Sequence, residues 1–131
     1  MSREKIKNEV LRRIAKGYLV RSIGRAKWRI GDHILHVRYC GKPTGQSMRY
    51  AYGINPTTLK ADFEIWICGK ANYYYLIPTK VMKKIYNDPN AYIDSHHPEI
   101  RIAKVDAQNH LCYYSRGAKF MDFSEYFYAT L

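Results

Sequence analysis

The chain has 131 residues, of which 47% are hydrophobic and 25% are charged. This length fits one domain over residues 1–131, and the composition is typical of a globular protein rather than of a disordered or fibrous chain. The longest apolar stretch, residues 73–77, is far shorter than the ~20 residues of a membrane-spanning helix, and no apolar segment follows the basic N-terminus. We therefore expect no membrane partner, no secretory signal and a cytoplasmic location.

The positive charge is unevenly distributed along the chain. The formal net charge is +11, and residues 1–60 hold 14 Lys and Arg against three acidic residues, whereas residues 61–131 hold eight of each sign. Because the whole excess lies in the first half, we expect the basic side chains to share one surface that attracts a polyanion such as nucleic acid. The alternative is a solvated basic face that only maintains solubility.

The cysteines and histidines do not predict a metal site. Cys40, Cys68 and Cys112 are far apart in the chain and include no C-x-x-C pair, so neither a disulfide framework nor a zinc ribbon is expected. We expect reduced cysteines with a structural role. His33 and His36 are three residues apart, and in a strand they would point to opposite faces.

The first predicted element is a helix. Ser2 can cap its start, apolar residues recur at helical spacing from Ile6 to Ile14, and Lys16 with Gly17 forms a C-terminal stop. The polar surface of this helix carries several basic side chains.

Short strands follow the first helix. We expect strands at residues 18–20 and 27–30, a turn at 31–32 and a third strand at 34–39. Along the third strand, alternate residues share a face, with Leu35, Val37 and Tyr39 on one side and Ile34, His36, Arg38 and Cys40 on the other. Residues 41–47 hold no hydrophobic residue and predict an exposed loop.

The second half predicts further strands and two helices. A strand is expected at residues 48–54, and residues 62–68 alternate, with Phe63, Ile65 and Ile67 inward and Asp62, Glu64 and Trp66 outward. A turn then leads to residues 73–77, which complete a hairpin.

Thr79 is the expected cap of a second helix, and residues 88–99 should be irregular. Strands are expected at 101–105 and 110–114, and the capping-box spacing of Asp122 and Glu125 predicts a last helix at 123–129. These elements predict an α+β domain with a central mixed sheet flanked by an N-terminal helix and a second helix.

The order of the elements, with His36-Val37-Arg38 ending a strand pair and Asp62-Phe63 leading to Tyr75-Leu76-Ile77-Pro78, resembles a known nuclease superfamily. It is the PD-(D/E)XK, or restriction-endonuclease-like, superfamily, in particular its small members associated with group I introns. The resemblance covers residues 4–86. It implies a restriction-endonuclease-like α/β core and Mg²⁺-dependent hydrolysis of DNA, with an Asp on one strand and an E-x-K or Q-x-K triplet on the next.

The chain departs from this pattern at both places. His36-Val37-Arg38 stands where the resemblance expects E-x-K, and no acid lies at residues 25–29, where the partner Asp is expected. Glu9 matches an acid that some members carry on the first helix. The candidate catalytic residues are therefore Glu9, His36, Arg38, Asp62 and Glu64.

Three functions remain open from the sequence. The first is a DNA-binding domain of nuclease-like fold that has lost hydrolysis, and it needs no cofactor. The second is a metal-dependent endonuclease of homing or restriction type, in which Asp62 and Glu64 form a relocated carboxylate pair for Mg²⁺. The third is a protein-interaction or inhibitor module. A solvated strand face is the expected alternative for Asp62 and Glu64, and the polar face of a half-buried strand for His36 and Arg38.

The sequence also suggests which side chains contact nucleic acid. Double-stranded DNA is favoured over RNA because the chain has no RNP signature and no G-x-x-G loop followed by a helix. Trp28 and Tyr50 stand beside basic residues and are the candidates for stacking on a base, although core packing is the first expectation for both. A homodimer is left open. The expected phosphate contacts are Arg21, Arg25, Lys27, Arg29, Lys42, Arg49 and Lys60.

Overall fold

The computed structural model describes residues 2–131. In this range the chain forms two α-helices, ten strands and two 3₁₀ turns, at Thr58–Lys60 and Ser124–Tyr126. The helices and strands are α1 (Arg3–Ala15), β1 (Val20–Gly24), β2 (Lys27–Ile30), β3 (His33–Cys40), β4 (Tyr50–Ile54), β5 (Phe63–Cys68), β6 (Tyr74–Pro78), α2 (Thr79–Tyr86), β7 (Tyr92–Ile93), β8 (Arg101–Asp106), β9 (Leu111–Ser115) and β10 (Lys119–Asp122).

The strands form two sheets. The first sheet has the order β1-β2-β3-β5-β6, in which β3 and β5 are parallel and the other neighbours are antiparallel. The second sheet is antiparallel, with the order β10-β9-β8-β4, and β7 pairs with β8. The predicted α+β class with a mixed sheet and an N-terminal helix is confirmed. Neither helix is long and apolar enough to cross a membrane.

The first helix forms as its sequence predicts. The Ser2 hydroxyl accepts a hydrogen bond from the amide of Lys5 at 3.2 Å, and Lys16, at a φ of 48°, ends the helix in the left-handed conformation. The apolar face of α1 packs on one face of the first sheet. This contact buries Ile6, Val10, Leu11 and Ile14 against Leu35, Val37, Ile65 and Ile67.

The opposite face of the first sheet packs against the second sheet and α2. Trp66, Tyr75 and Ile77 are fully buried in this second core, and the ring of Tyr52 on β4 stacks on Trp66 at 4.6 Å. The prediction that Glu64 and Trp66 point outward is therefore wrong. Strand β5 is buried on both of its faces because the second sheet covers the face opposite α1.

Several element predictions need correction. The strand expected at residues 18–20 begins only at Val20, and the unpredicted β10 occupies Lys119–Asp122. Thr79 does not cap α2, since its hydroxyl donates to the carbonyl of Ala61 at 2.6 Å. The last helix shortens to the 3₁₀ turn Ser124–Tyr126, where Asp122 accepts hydrogen bonds from the amide and hydroxyl of Ser124.

The second sheet covers only part of the first sheet. Among residues 2–131, the core between the sheets includes no side chain of β1 or β2, and from β3 only Cys40 packs against it. The part of this sheet face formed by β1, β2 and most of β3 consequently lies outside that core. The free cysteines Cys68 and Cys112 are buried, and Cys40 is free and half-buried.

Candidate nucleic-acid interface

Strands β1, β2 and β3 of the first sheet carry most of their basic residues on one face, which is the face opposite α1. Leu35 and Val37 of β3 contact α1, so the residues between and beside them point to the other side. Directly paired residues of neighbouring strands share a face, and Lys27 pairs with His36 while Arg21 pairs with Arg29. We call the resulting surface the basic face, which consists of Arg21, Lys27, Arg29, His36 and Arg38.

The cations of the basic face are largely free of acidic partners. Arg21 and Arg29 are exposed, and Lys27 is half-buried. Within residues 2–131, none of these three side chains forms an ion pair, whereas Arg38 pairs with Glu64. Because Arg21 and Arg29 are like charges directly opposite each other, they repel, and a bound anion would relieve that repulsion.

The other predicted phosphate contacts lie at different places. Arg25 is exposed in the turn that joins β1 to β2 and therefore borders the basic face. Lys60 is exposed just before β5, at the end of the sheet where Asp62 hydrogen-bonds to Ile34. Lys42 follows the opposite end of β3.

Arg49 is turned towards the second sheet. Its guanidinium lies 3.6 Å from the centre of the Tyr113 ring, which is the geometry of a cation–π contact. The structure thus brings Arg21, Lys27 and Arg29 together, with Arg25 at their margin, and places Lys42 and Arg49 away from them.

Glu64 occupies the inner boundary of the basic face. Its Oε1 accepts hydrogen bonds from Arg38 Nε and from Trp66 Nε1, both at 2.9 Å, and the residue is only 1% exposed. Burial raises the pKa of Glu64, although the charge of Arg38 and the hydrogen bonds from Trp66 and Arg38 oppose this shift. The expectation of a solvated strand face at Glu64 is wrong because the residue is buried and its carboxylate is bonded to Arg38 and Trp66.

His36 is a buried, uncharged member of the basic face. It lies between Lys27 and Glu64 in the strand register, and it is 8% exposed. Burial, followed by the positive charges of Arg38, Lys27 and Lys7, lowers the pKa of His36 to about 4. Its imidazole is therefore neutral near pH 7.

The hydrogen bonding of the His36 ring is incomplete. Within residues 2–131 its Nδ1 is fully buried and has no hydrogen-bond partner. Buried polar atoms without partners are rare in folded proteins, and each one destabilises the fold by the energy lost on leaving water.

The two remaining candidate acids do not join Glu64. Asp62 is exposed, and its Oδ2 accepts the Ile34 amide at 2.8 Å, which links the start of β5 to β3. Glu9 projects from α1, on the other side of the sheet from His36.

These positions do not fit a Mg²⁺ site. The Glu64 carboxylate is already bonded to the cation Arg38, and no group of three His, Cys, Asp or Glu side chains converges within residues 2–131. Mg²⁺ requires carboxylate oxygens that can replace its water ligands. Asp62 and Glu64 therefore form no open carboxylate pair, because Asp62 is exposed and bonded to the Ile34 amide whereas Glu64 is buried and bonded to Arg38 and Trp66.

The two aromatic candidates for base stacking lie outside the basic face. Trp28 pairs with Leu35 and packs against the core beneath α1, while Tyr50 packs against the core between the sheets. Sequence reasoning missed the bond between Trp66 and Glu64. The nearly continuous apolar run of residues 63–68 was the available signal, since strands buried on both faces lack alternation.

Comparison with known proteins gives no match. No family model, no curated protein and no solved structure matches this chain.

Proposed function

We propose that the protein binds nucleic acid through the basic face without hydrolysing it, and that double-stranded DNA is the preferred ligand. The observation that carries this proposal is the strand register, which puts Arg21, Lys27 and Arg29 on one sheet face where, within residues 2–131, none of them forms an ion pair. Basic side chains in such an array neutralise phosphates and release counterions, which stabilises binding without reading sequence.

We propose binding without hydrolysis because of the residues that the same face carries. Hydrolysis of a phosphodiester by the metal route needs carboxylates that hold a cation next to the attacking water. The positions that the nuclease resemblance assigns to an acid and a lysine hold His36 and Arg38, and Arg38 is bonded to Glu64. A fold of nuclease ancestry that retains only backbone binding is consistent with these replacements.

A charge-reversal variant tests the proposal. We expect Arg21→Glu, Lys27→Glu and Arg29→Glu together to abolish binding of a fluorescently labelled duplex, measured by anisotropy at two salt concentrations. The matched control reverses Lys80, Lys83 and Lys84, which are exposed on α2 and change the net charge equally. This control should retain most of the affinity. Equal loss in both variants, or no loss in the first, contradicts a dedicated basic face.

Two further arms separate the rival functions. Labelled single strands and RNA in the same titration show whether the duplex is preferred. Supercoiled plasmid incubated with Mg²⁺ or Mn²⁺ should stay intact. Nicking that disappears in Asp62→Ala or Glu64→Ala would show that the protein is an endonuclease.

A further inference from the structure

An open pocket lies at the free edge of the first sheet, beside the basic face. Strand β1 is the outermost strand of this sheet, and the pocket, of about 240 Å³, lies where the chain enters that strand. It is lined by Tyr18, Leu19, Arg21, Arg29 and Gly31. Because Arg21 and Arg29 also belong to the basic face, the pocket is continuous with that surface.

Tyr18 and Leu19 form an exposed apolar patch in this pocket. Tyr18 is 69% exposed and Leu19 is 73% exposed, and within residues 2–131 neither side chain packs against either core. Single exposed apolar residues are common on protein surfaces, whereas neighbouring ones beside a pocket are typical of an interaction site. The packing of the fold thus gives these two side chains no structural role.

The ring of Tyr18 is open to a ligand. Within residues 2–131 it lies against no other aromatic ring and under no cation. The tyrosines beside α1 differ, since Arg3 lies over the ring of Tyr39 and Arg13 over that of Tyr128. Tyr18 therefore presents an unoccupied aromatic face on which a base can stack.

The two arginines give the pocket the charge that phosphates require. Arg21 and Arg29 are exposed and directly paired across β1 and β2, and within the described residues neither forms an ion pair. Asp32, the nearest acid along the chain, does not line the pocket. An open aromatic ring beside two cations that are not neutralised is the combination with which proteins bind unpaired nucleotides.

The size of the pocket restricts its occupant. Small-molecule sites commonly have volumes of ~300 to 1,000 Å³, so this pocket holds one part of a larger ligand. A single base attached to its strand by phosphates is such a part. Bases inside a fully paired duplex are stacked on one another, so only an unpaired base can place its flat face on the Tyr18 ring.

We propose that this pocket binds an unpaired base next to a duplex that lies on the basic face, so that a duplex with a single-stranded overhang binds more tightly than a blunt one. The base stacks on Tyr18, Leu19 contacts the sugar, and Arg21 and Arg29 contact the adjoining phosphates. The inference rests on the proposed function, because it assigns one form of nucleic acid to the same surface. Stacking is tolerant of base identity, so the preference is for structure and not for sequence.

Anisotropy titrations with three labelled ligands test the pocket. They are a blunt duplex, the same duplex with a short overhang, and the overhang duplex with abasic nucleotides in the overhang. Overhangs of both polarities are used, and a gain with either one supports the proposal. We expect the overhang to strengthen binding about tenfold, which is within the range for one stacked base. The abasic overhang keeps the phosphates but lacks the bases, so most of this gain should disappear.

Variants of Tyr18 identify the ring that makes the contact. Tyr18→Ala should lose the gain from the overhang but retain the affinity for the blunt duplex, whereas Tyr18→Phe should retain both, since the ring and not the hydroxyl stacks. The matched control is Phe120→Ala, which removes an aromatic side chain that is 53% exposed on β10 of the second sheet. This control should keep the full gain.

The outcomes separate this inference from the proposed function. A gain that the abasic overhang reproduces or that Tyr18→Ala retains would overturn the inference, and so would equal losses in Tyr18→Ala and Phe120→Ala. The absence of any gain in the unmodified chain would overturn it in favour of a protein side chain as the occupant. In each case the proposed function stands if the blunt duplex binds and the triple variant of Arg21, Lys27 and Arg29 does not bind it. Failure of the unmodified chain to bind any of the three ligands would contradict both.

Discussion

Glu64 on β5 is bonded to Arg38 on β3, with 2.9 Å between Arg38 Nε and Glu64 Oε1. The acid is almost fully buried, whereas the Arg38 side chain keeps 28% of its surface exposed. The pair thus connects the core between the two sheets to the basic face. The stability of the fold depends on both partners, because an unpaired charge at the Glu64 position would be buried away from solvent.

We expect Arg38→Met to destabilise the protein by about 3 kcal/mol, since it leaves the Glu64 carboxylate buried without its cation. The pKa of Glu64, already raised by burial, would rise further. The free energy of unfolding from urea denaturation at pH 7 measures this loss.

The control for this prediction is the double variant Arg38→Met with Glu64→Gln. The Gln amide oxygen can still accept the Trp66 Nε1 hydrogen bond, so most of the lost stability should return. No recovery in the double variant would show that Arg38 contributes by packing rather than by its charge.

His36 should make the stability of the protein depend on pH. The folded protein holds the pKa of His36 at about 4, below its usual 6.5, so between these values only the unfolded chain binds the proton. The stabilising contribution is complete above pH 6.5 and is lost as the pH falls towards 4. The difference in unfolding free energy between the unmodified chain and His36→Asn should therefore fall by about 2 kcal/mol from pH 7 to pH 4.5.

The charged groups around His36 are Lys27, Arg38 and Glu64 in the sheet, with Lys7 from α1. Glu64 has a raised pKa and acts in the opposite direction, because its protonation favours the folded state as the pH falls. The comparison with His36→Asn cancels this effect. Parallel pH profiles of the two proteins would contradict a buried neutral imidazole.

Duplex binding should depend steeply on salt if the basic face contacts phosphates. Each phosphate contact contributes about 0.9 to the slope of log affinity against log salt, so Arg29→Gln should lower the slope by about 1. Affinity should fall equally for unrelated duplex sequences, because backbone contacts carry no sequence information. A variant that relaxes the preference for one sequence instead would assign Arg29 to base recognition.

Tyr52 connects the two sheets and should be sensitive to truncation. Its hydroxyl donates to the Ile67 carbonyl at 2.6 Å, and its ring stacks on Trp66. We expect Tyr52→Phe to cost about 1 kcal/mol by loss of the hydrogen bond, and Tyr52→Ala about 3 to 5 kcal/mol by cavity formation. Thermal and urea unfolding measure both. Two separate transitions in Tyr52→Ala would show that the sheets unfold independently.

Much of the fold follows from local patterns in the chain. The helical spacing from Ile6 to Ile14 with Ser2 before it predicts α1, and the Lys27–Ile30 strand and the residue 101–105 strand are close to the observed β2 and β8. These predictions succeed because an amphipathic period describes how one face of an element is buried, and a cap acts within one turn. The concentration of positive charge in residues 1–60 is likewise a property of the sequence.

Only the tertiary structure decides what covers the second face of each strand. Glu64 and Trp66 alternate with apolar residues and look solvent-facing, yet both are buried. Trp66 packs against the second sheet, which forms largely from distant residues after position 90, and Glu64 is bonded to Trp66 and to Arg38 of β3. The same partial cover leaves β1 and β2 outside the core between the sheets. Arg49, by contrast, packs on Tyr113 of the second sheet and is thus separated from the basic face. The second face of a strand is buried by residues that are distant in the sequence. Local periodicity carries no information about which strand those residues cover.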